Sequence, residues 1–125
     1  MPESIVIVAA RRTPIGGFQG IFSPVSATQL GSFAAAAALA DSGLSPDAID
    51  EVIFGCVLPA GLGQAPARQA AVGAGIALSV PATTVNKMCG SGMKAVMLAA
   101  DQIRAGSARA ILAGGLESMT NAPYL

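Results

Sequence analysis

Histidine is absent from this 125-residue chain, and tryptophan with it. Without an imidazole, no Ser/His/Asp triad, no Cys/His dyad and no His-ligated metal site can be assembled from these residues. Cysteine is almost missing, with Cys56 and Cys89 the only two. Two thiols are too few for a cysteine-only zinc site or a disulfide scaffold, although a single Cys56–Cys89 bridge stays arithmetically open. Charge is scarce, at 11% of residues, and balanced: 7 basic and 7 acidic side chains give a net charge of +0. That balance argues against a nucleic-acid partner, which needs a basic surface. Long apolar runs are missing too. The longest in a helical context, Phe33 to Ala40, is far too short to span a bilayer, so no membrane partner is expected. The start, Met1-Pro2-Glu3-Ser4, is not basic, and the run Ile5 to Ala10 stops at Arg11-Arg12, so no secretory signal is read there. A reducing cytoplasm with free thiols is the expected setting.

What is there is apolar and small. Hydrophobic residues make up 53% of the chain but aromatics only 4%, and alanine is the commonest residue. Such a composition excludes intrinsic disorder and predicts a core of small, closely packed aliphatic side chains.

Strand-like and helix-like segments alternate. Ile5 to Ala9 is a β-branched run that predicts a strand buried on both faces. Thr28 to Ser42 predicts a helix capped by Thr28 and ended by Gly43, with Leu30, Phe33, Ala37 and Ala40 on one face. Ser45-Pro46-Asp47 predicts a capped single turn. Val52 to Val57 predicts a second buried strand, Pro59 to Gly63 a loop, Pro66 to Gly75 a helix and Pro81 to Val85 a short extended segment. Gly90 to Ala105 predicts the last helix, its apolar side formed by Met93, Val96, Met97, Ala100 and Ile103. Ala110 to Ala113 predicts a strand stopped by Gly114-Gly115. The alternation implies an α/β fold with a mostly parallel sheet and helices on both faces. No linker, low-complexity tract or repeat divides the chain. A final strand without a covering crossover is a first sign of a larger protein.

The chemistry concentrates in Asn86-Lys87-Met88-Cys89-Gly90-Ser91-Gly92-Met93-Lys94, where a short strand runs into a helix. Catalytic groups collect at such corners in open α/β sheets. The unpaired N–H groups and dipole of a helix N-terminus favour negative charge, hence a thiolate, and can hold the oxyanion formed when sulfur attacks a carbonyl. Gly90 and Gly92 leave room for a bulky acyl substrate. The residues alone leave Cys89 open as either a nucleophile or an inert small hydrophobe. Cys56, within an apolar strand, reads as buried and unreactive with a raised pKa. Lys87 and Lys94 read as solvated, and Arg68 and Gln69 as structural or interfacial. Glu117 reads as an acid/base or, more in keeping with its setting, a satisfied structural carboxylate. Gly114-Gly115 either lets another backbone pass close by or simply ends a strand. Gly90-Ser91-Gly92 lacks the glycine spacing of a dinucleotide fingerprint or a P-loop.

The segment Asn86 to Ala95 resembles the nucleophile signature of thiolases. Three further blocks resemble the family in the same order: Val8 to Gly16, Gly63 to Ala71 and Ala113 to Met119. The resemblance, closest to the bacterial acetyl-CoA acetyltransferases, implies the N-terminal half of a thiolase-like (condensing-enzyme) fold, itself built of two similar halves. It implies an acyl-transfer reaction between acetyl-CoA and acyl-CoA substrates through an acyl-cysteine, with Cys89 as the acylated catalytic residue and its own N–H as part of an oxyanion hole. No cofactor beyond the coenzyme A thioesters and no metal is implied. Complete members are expected to be homo-oligomers, dimers or tetramers. On this reading residues 1–125 form an incomplete N-terminal domain. The loop domain that binds coenzyme A and the C-terminal half, with the catalytic histidine, the second cysteine and an asparagine-held water, lie elsewhere. The 125 residues alone are not expected to be a competent catalyst. A ketoacyl synthase, which shares the fold and a cysteine at this corner, and a non-catalytic thiolase-like binding module are the alternative readings.

Overall fold

The computed structural model describes residues 4–125; Met1, Pro2 and Glu3, which open the start inspected for a leader, lie outside the described residues. The first helix, α1, spans Ala27–Ser42. Its N-cap is Ser26 rather than Thr28. Ser26 Oγ accepts the Gln29 N–H at 3.2 Å while Gln29 Oε1 accepts the Ser26 N–H at 2.9 Å, a capping box that satisfies two donors reciprocally. Gly43, at φ 70°, ends the helix in the left-handed conformation that glycine adopts without penalty. A 3₁₀ turn follows at Pro46–Ala48, capped by Ser45. Then come strand β1 (Glu51–Gly55), helix α2 (Pro66–Gly73), strand β2 (Ala82–Val85), helix α3 (Ser91–Arg104) and strand β3 (Ile111–Gly115).

The sheet is parallel throughout, in the order β2-β1-β3. Val52 stands opposite Ala82 on one side and Leu112 on the other. Alternate residues of β1, together with Cys56, which follows the strand rather than lying within it as expected, feed two cores. Ile53 packs on one face against Ala95 and Ala99 of α3. Val52, Phe54 and Cys56 pack on the other against Ala67, Ala70 and Ala71 of α2, with Ala35 and Leu39 of α1 in the same cluster. The expected α/β architecture, a parallel sheet with helices on both faces, is therefore realised. Its layers are joined by alanines, which let helices approach closely. Gly31 and Gly73 serve the same end, since a Cβ on either would meet Leu116 or Ser32 at under 3 Å.

Besides the Thr28 cap and the place of Cys56, four further expectations are corrected. Residues 5–9 form no strand, and Val6, Ile7 and Val8 lie exposed. A strand exists only as part of a ladder, and among the described residues no strand pairs with this run. The buried face of α1 is Ala27, Thr28, Gly31, Ala35 and Leu39, while Phe33 and Ala40 are exposed. The buried stripe of α3 is Ser91, Ala95 and Ala99, and Met93, Val96 and Met97 face outward. Leu39 apart, the buried side chains of both helices are small, which lets the neighbouring backbone approach closely. Finally, β3 does not stop before Gly114-Gly115 but runs through both.

Candidate active site

The C-terminal ends of all three strands lie on one rim of the sheet, and the Cys89 turn rises from the end of β2. Residues 86–91 hold their own shape. The Asn86 side chain accepts the Met88 N–H at 2.9 Å. Gly90 N–H donates to the Lys87 carbonyl at 3.1 Å, and Ser91 N–H to the Met88 carbonyl at 3.1 Å. The Ser91 hydroxyl, 4% exposed, closes the loop from inside by accepting the Lys87 N–H at 2.8 Å and donating to the Met88 carbonyl at 2.6 Å. Met88 adopts φ 49°, a left-handed conformation uncommon for a side chain of its size, so the turn holds it against local preference.

Within this frame Cys89 is exposed and free. It immediately precedes the first turn of α3, and among the described residues no acceptor takes up its N–H. An exposed sulfur at the start of a 14-residue helix can attack a carbonyl, and its own unpaired amide N–H can donate to the oxyanion that results. A single Cys56–Cys89 bridge is not formed, because both thiols are free.

Two glycines of the sheet seat this corner on it. A Cβ at Gly55 would lie 2.4 Å from the Ser91 carbonyl carbon, and one at Gly115 would lie 3.3 Å from Gly92 Cα. The first turn of α3 therefore rests directly on the backbone of β1 and β3. The close-approach reading of Gly115 is thus the correct one, with the α3 backbone as the visitor.

The other candidates are structural. Cys56 is 2% exposed, and burial together with the nearby Glu117 charge pushes its thiol up to about 11. Arg68 donates to the Leu78 and Val80 carbonyls, and Gln69 to those of Leu62 and Gln64, so both fasten the walls of α2. Glu117 accepts the N–H groups of Val57 at 2.8 Å and Leu58 at 3.0 Å. A concavity of about 270 Å³ between Arg11–Pro14 and α1 shares no residue with the Cys89 turn. Among the described residues no cluster of His, Cys, Asp and Glu could hold a metal ion, and no helix is long and apolar enough to cross a membrane. The roles of Asn86 and Ser91 were not read from the sequence. The signal was present: an Asn two residues before an amide, and a Ser at the mouth of a helix, are both side chains that bond nearby backbone.

A parallel α/β layer with an exposed cysteine at a strand-to-helix corner places the chain among the open α/β domains, and comparison with known proteins narrows the class. The family model described as "Thiolase, N-terminal domain" matches residues 5–125. Acetyl-CoA acetyltransferase 2 of Arabidopsis thaliana is 57% identical over 122 residues, covering 98% of this chain and 30% of that protein. The mitochondrial acetyl-CoA acetyltransferase B of Xenopus laevis is 55% identical over 98% of this chain and 29% of its own length. The acetyl-CoA acetyltransferase of Syntrophomonas wolfei is 50% identical over 100% of this chain and 32% of its own. The chain belongs to the thiolase family, as an example of its N-terminal domain. It spans roughly a third of the length of these relatives.

Proposed function

We propose that this chain is the nucleophile-bearing part of an acetyl-CoA C-acetyltransferase, with Cys89 as the acylated residue. The observation that carries the reading is the exposed Cys89 thiol beside its own unpaired N–H, in a chain at least half identical to proteins named acetyl-CoA acetyltransferase. The thiolate of Cys89 attacks the thioester carbonyl of acetyl-CoA, and the Cys89 N–H donates to the oxyanion. Collapse breaks the carbon–sulfur bond to coenzyme A, whose thiolate leaves and takes up a proton. A second acetyl-CoA then loses an α-proton, and its carbon attacks the acyl-cysteine and expels the Cys89 thiolate. The product is acetoacetyl-CoA; run backwards, a 3-ketoacyl-CoA is cleaved by coenzyme A.

The chain has no histidine, so the groups that move these protons lie outside residues 1–125. Those residues are proposed to form an incomplete N-terminal domain, completed by a coenzyme A-binding loop domain and a second half. The coenzyme A thioesters are substrates, and no further cofactor is required. The complete protein is proposed to work in the cytoplasm as a dimer or tetramer.

The test is acyl-enzyme trapping. The complete protein given radiolabelled acetyl-CoA and quenched before the second substrate reacts should carry label in one peptide, that containing Cys89. Label on another residue, or none, defeats the proposal.

A further inference from the structure

The backbone ladder of the sheet runs out just where the site begins. Its last rungs are Cys56 N–H to the Val85 carbonyl at 3.0 Å and Leu116 N–H to the Gly55 carbonyl at 3.0 Å. Beyond them, among the described residues, no further backbone rung joins the strands, and two side chains take the place of rungs. From β3, Glu117 Oε2 accepts the Val57 N–H and Glu117 Oε1 the Leu58 N–H. From β2, Asn86 Nδ2 donates to the Val57 carbonyl at 3.5 Å. The same Asn86 uses its Oδ1 to hold the N–H of Met88, the residue before Cys89. Val57 is thus gripped on both sides, and the grip continues by one side chain into the nucleophile turn.

We propose that Glu117 is a positioning residue for Cys89, acting through the Val57–Leu58 backbone and the Asn86 side chain. The inference rests on Cys89 being the acylated residue. Glu117 has no contact with the Cys89 turn itself among its hydrogen bonds, so its effect must travel through these links. Its chemistry suits the task. The two N–H groups are taken by different oxygens of one carboxylate, which is an acceptor at both. An amide in its place offers one acceptor and one donor, so one of the two N–H groups would face an NH₂ and lose its partner. The loop would then shift, Asn86 would lose its aim, and Met88 would be released from a conformation it holds only under constraint.

The experiment uses the complete protein and four forms: wild type, Glu117→Gln, Asn86→Ala and the double variant. The readout is the rate of Cys89 acetylation against acetyl-CoA concentration, by quenched-flow mass measurement of the Cys89 peptide. Glu117→Gln is expected to slow the saturating rate by between about tenfold and a hundredfold, the scale of a sub-ångström to ångström misplacement. The half-saturating acetyl-CoA concentration should not move, because Glu117 touches no substrate. The double variant should be no slower than the slower single variant, because both lesions break one path. A wild-type rate in Glu117→Gln, or single effects that multiply in the double variant, overturns the inference. If Glu117→Gln fails to fold by circular dichroism, Asn86→Ala decides: this exposed residue is not in the core, and a wild-type rate there overturns it equally. Wild-type label on a residue other than Cys89 is a different failure, that of the acyl-cysteine reading.

Discussion

Cys56 and Cys89 are the same residue type in opposite surroundings. Cys56 is enclosed, its Sγ 3.7 Å from Glu117 Oε1, and burial raises its thiol to about 11, whereas Cys89 stands in solvent. At pH 8, iodoacetamide is expected to modify Cys89 alone in the folded chain and both cysteines after denaturation, as peptide masses will show. The raised Cys56 value has a pH consequence. An unfolded thiol titrates near ~8.5. The folded state resists losing this proton, so its stability is undiminished below pH ~8.5 and declines as pH rises toward 11. Denaturant midpoints from pH 8 to 11 should fall in the wild type and fall less in Cys56→Ala; an equal fall in both would show that another group is responsible. Ser91 is the second residue whose surroundings fix its role. Ser91→Ala leaves the Lys87 N–H without its acceptor and is expected to cost about 1–3 kcal/mol in denaturant unfolding.

At the scale of elements, the links between strands matter most where they are made by side chains. Asp50 Oδ2 accepts the N–H groups of Arg109 at 2.7 Å and Ala110 at 3.1 Å, joining the approach to β1 with the approach to β3. Those two bonds, the Arg109 bond first, hold the Asp50 carboxyl below the usual aspartate range. A depressed carboxyl stabilises the fold above its unfolded value of ~3.9 and ceases to do so as pH falls through the folded value. Acid titration of stability below pH ~4 should therefore be shallower in Asp50→Asn; parallel curves would exclude Asp50 as a contributor. The elements themselves were largely legible in the sequence. Gly43, Ser45-Pro46 and the Val52 to Val57 run each signalled a local event with a local cause, and the structure places a cap, a turn and a strand there. The Cys89 corner was legible for the same reason. The helix faces were not. Periodicity marks the larger apolar residues, so it selected Phe33 and Met93, whereas the buried positions, Leu39 apart, hold small residues beside closely approaching backbone. Likewise the first turn of α2, which has no side-chain cap of its own, is served by Thr84 Oγ1 of β2 accepting the Ala67 N–H at 3.0 Å, a link between distant segments that no local pattern announces.

For the molecule as a whole, the accessible surface is 7744 Å², against ~6,100 Å² for a compact monomer of this mass. The excess is apolar in several places. Val6, Ile7 and Val8 are each more than 60% exposed, and Met93 and Met97 line the outer side of α3. A contiguous β-branched run in solvent is a template for association between chains. Sedimentation of this chain is expected to show concentration-dependent association that Ile7→Lys weakens; a monomer at all concentrations, or an unchanged variant, would show that the run is inert. The rim behaves differently from this loose periphery. Its turn is tied by bonds within residues 86–91, while its seating demands bare backbone at Gly55 and Gly115. Anyone transplanting the Cys89 hexapeptide into a foreign βα scaffold must therefore bring two silent passengers from other strands. A recipient with alanine in the place of Gly55 would push the graft off its bed, and one with alanine in the place of Gly115 would make it give by a fraction of an ångström, however faithfully the six residues were copied.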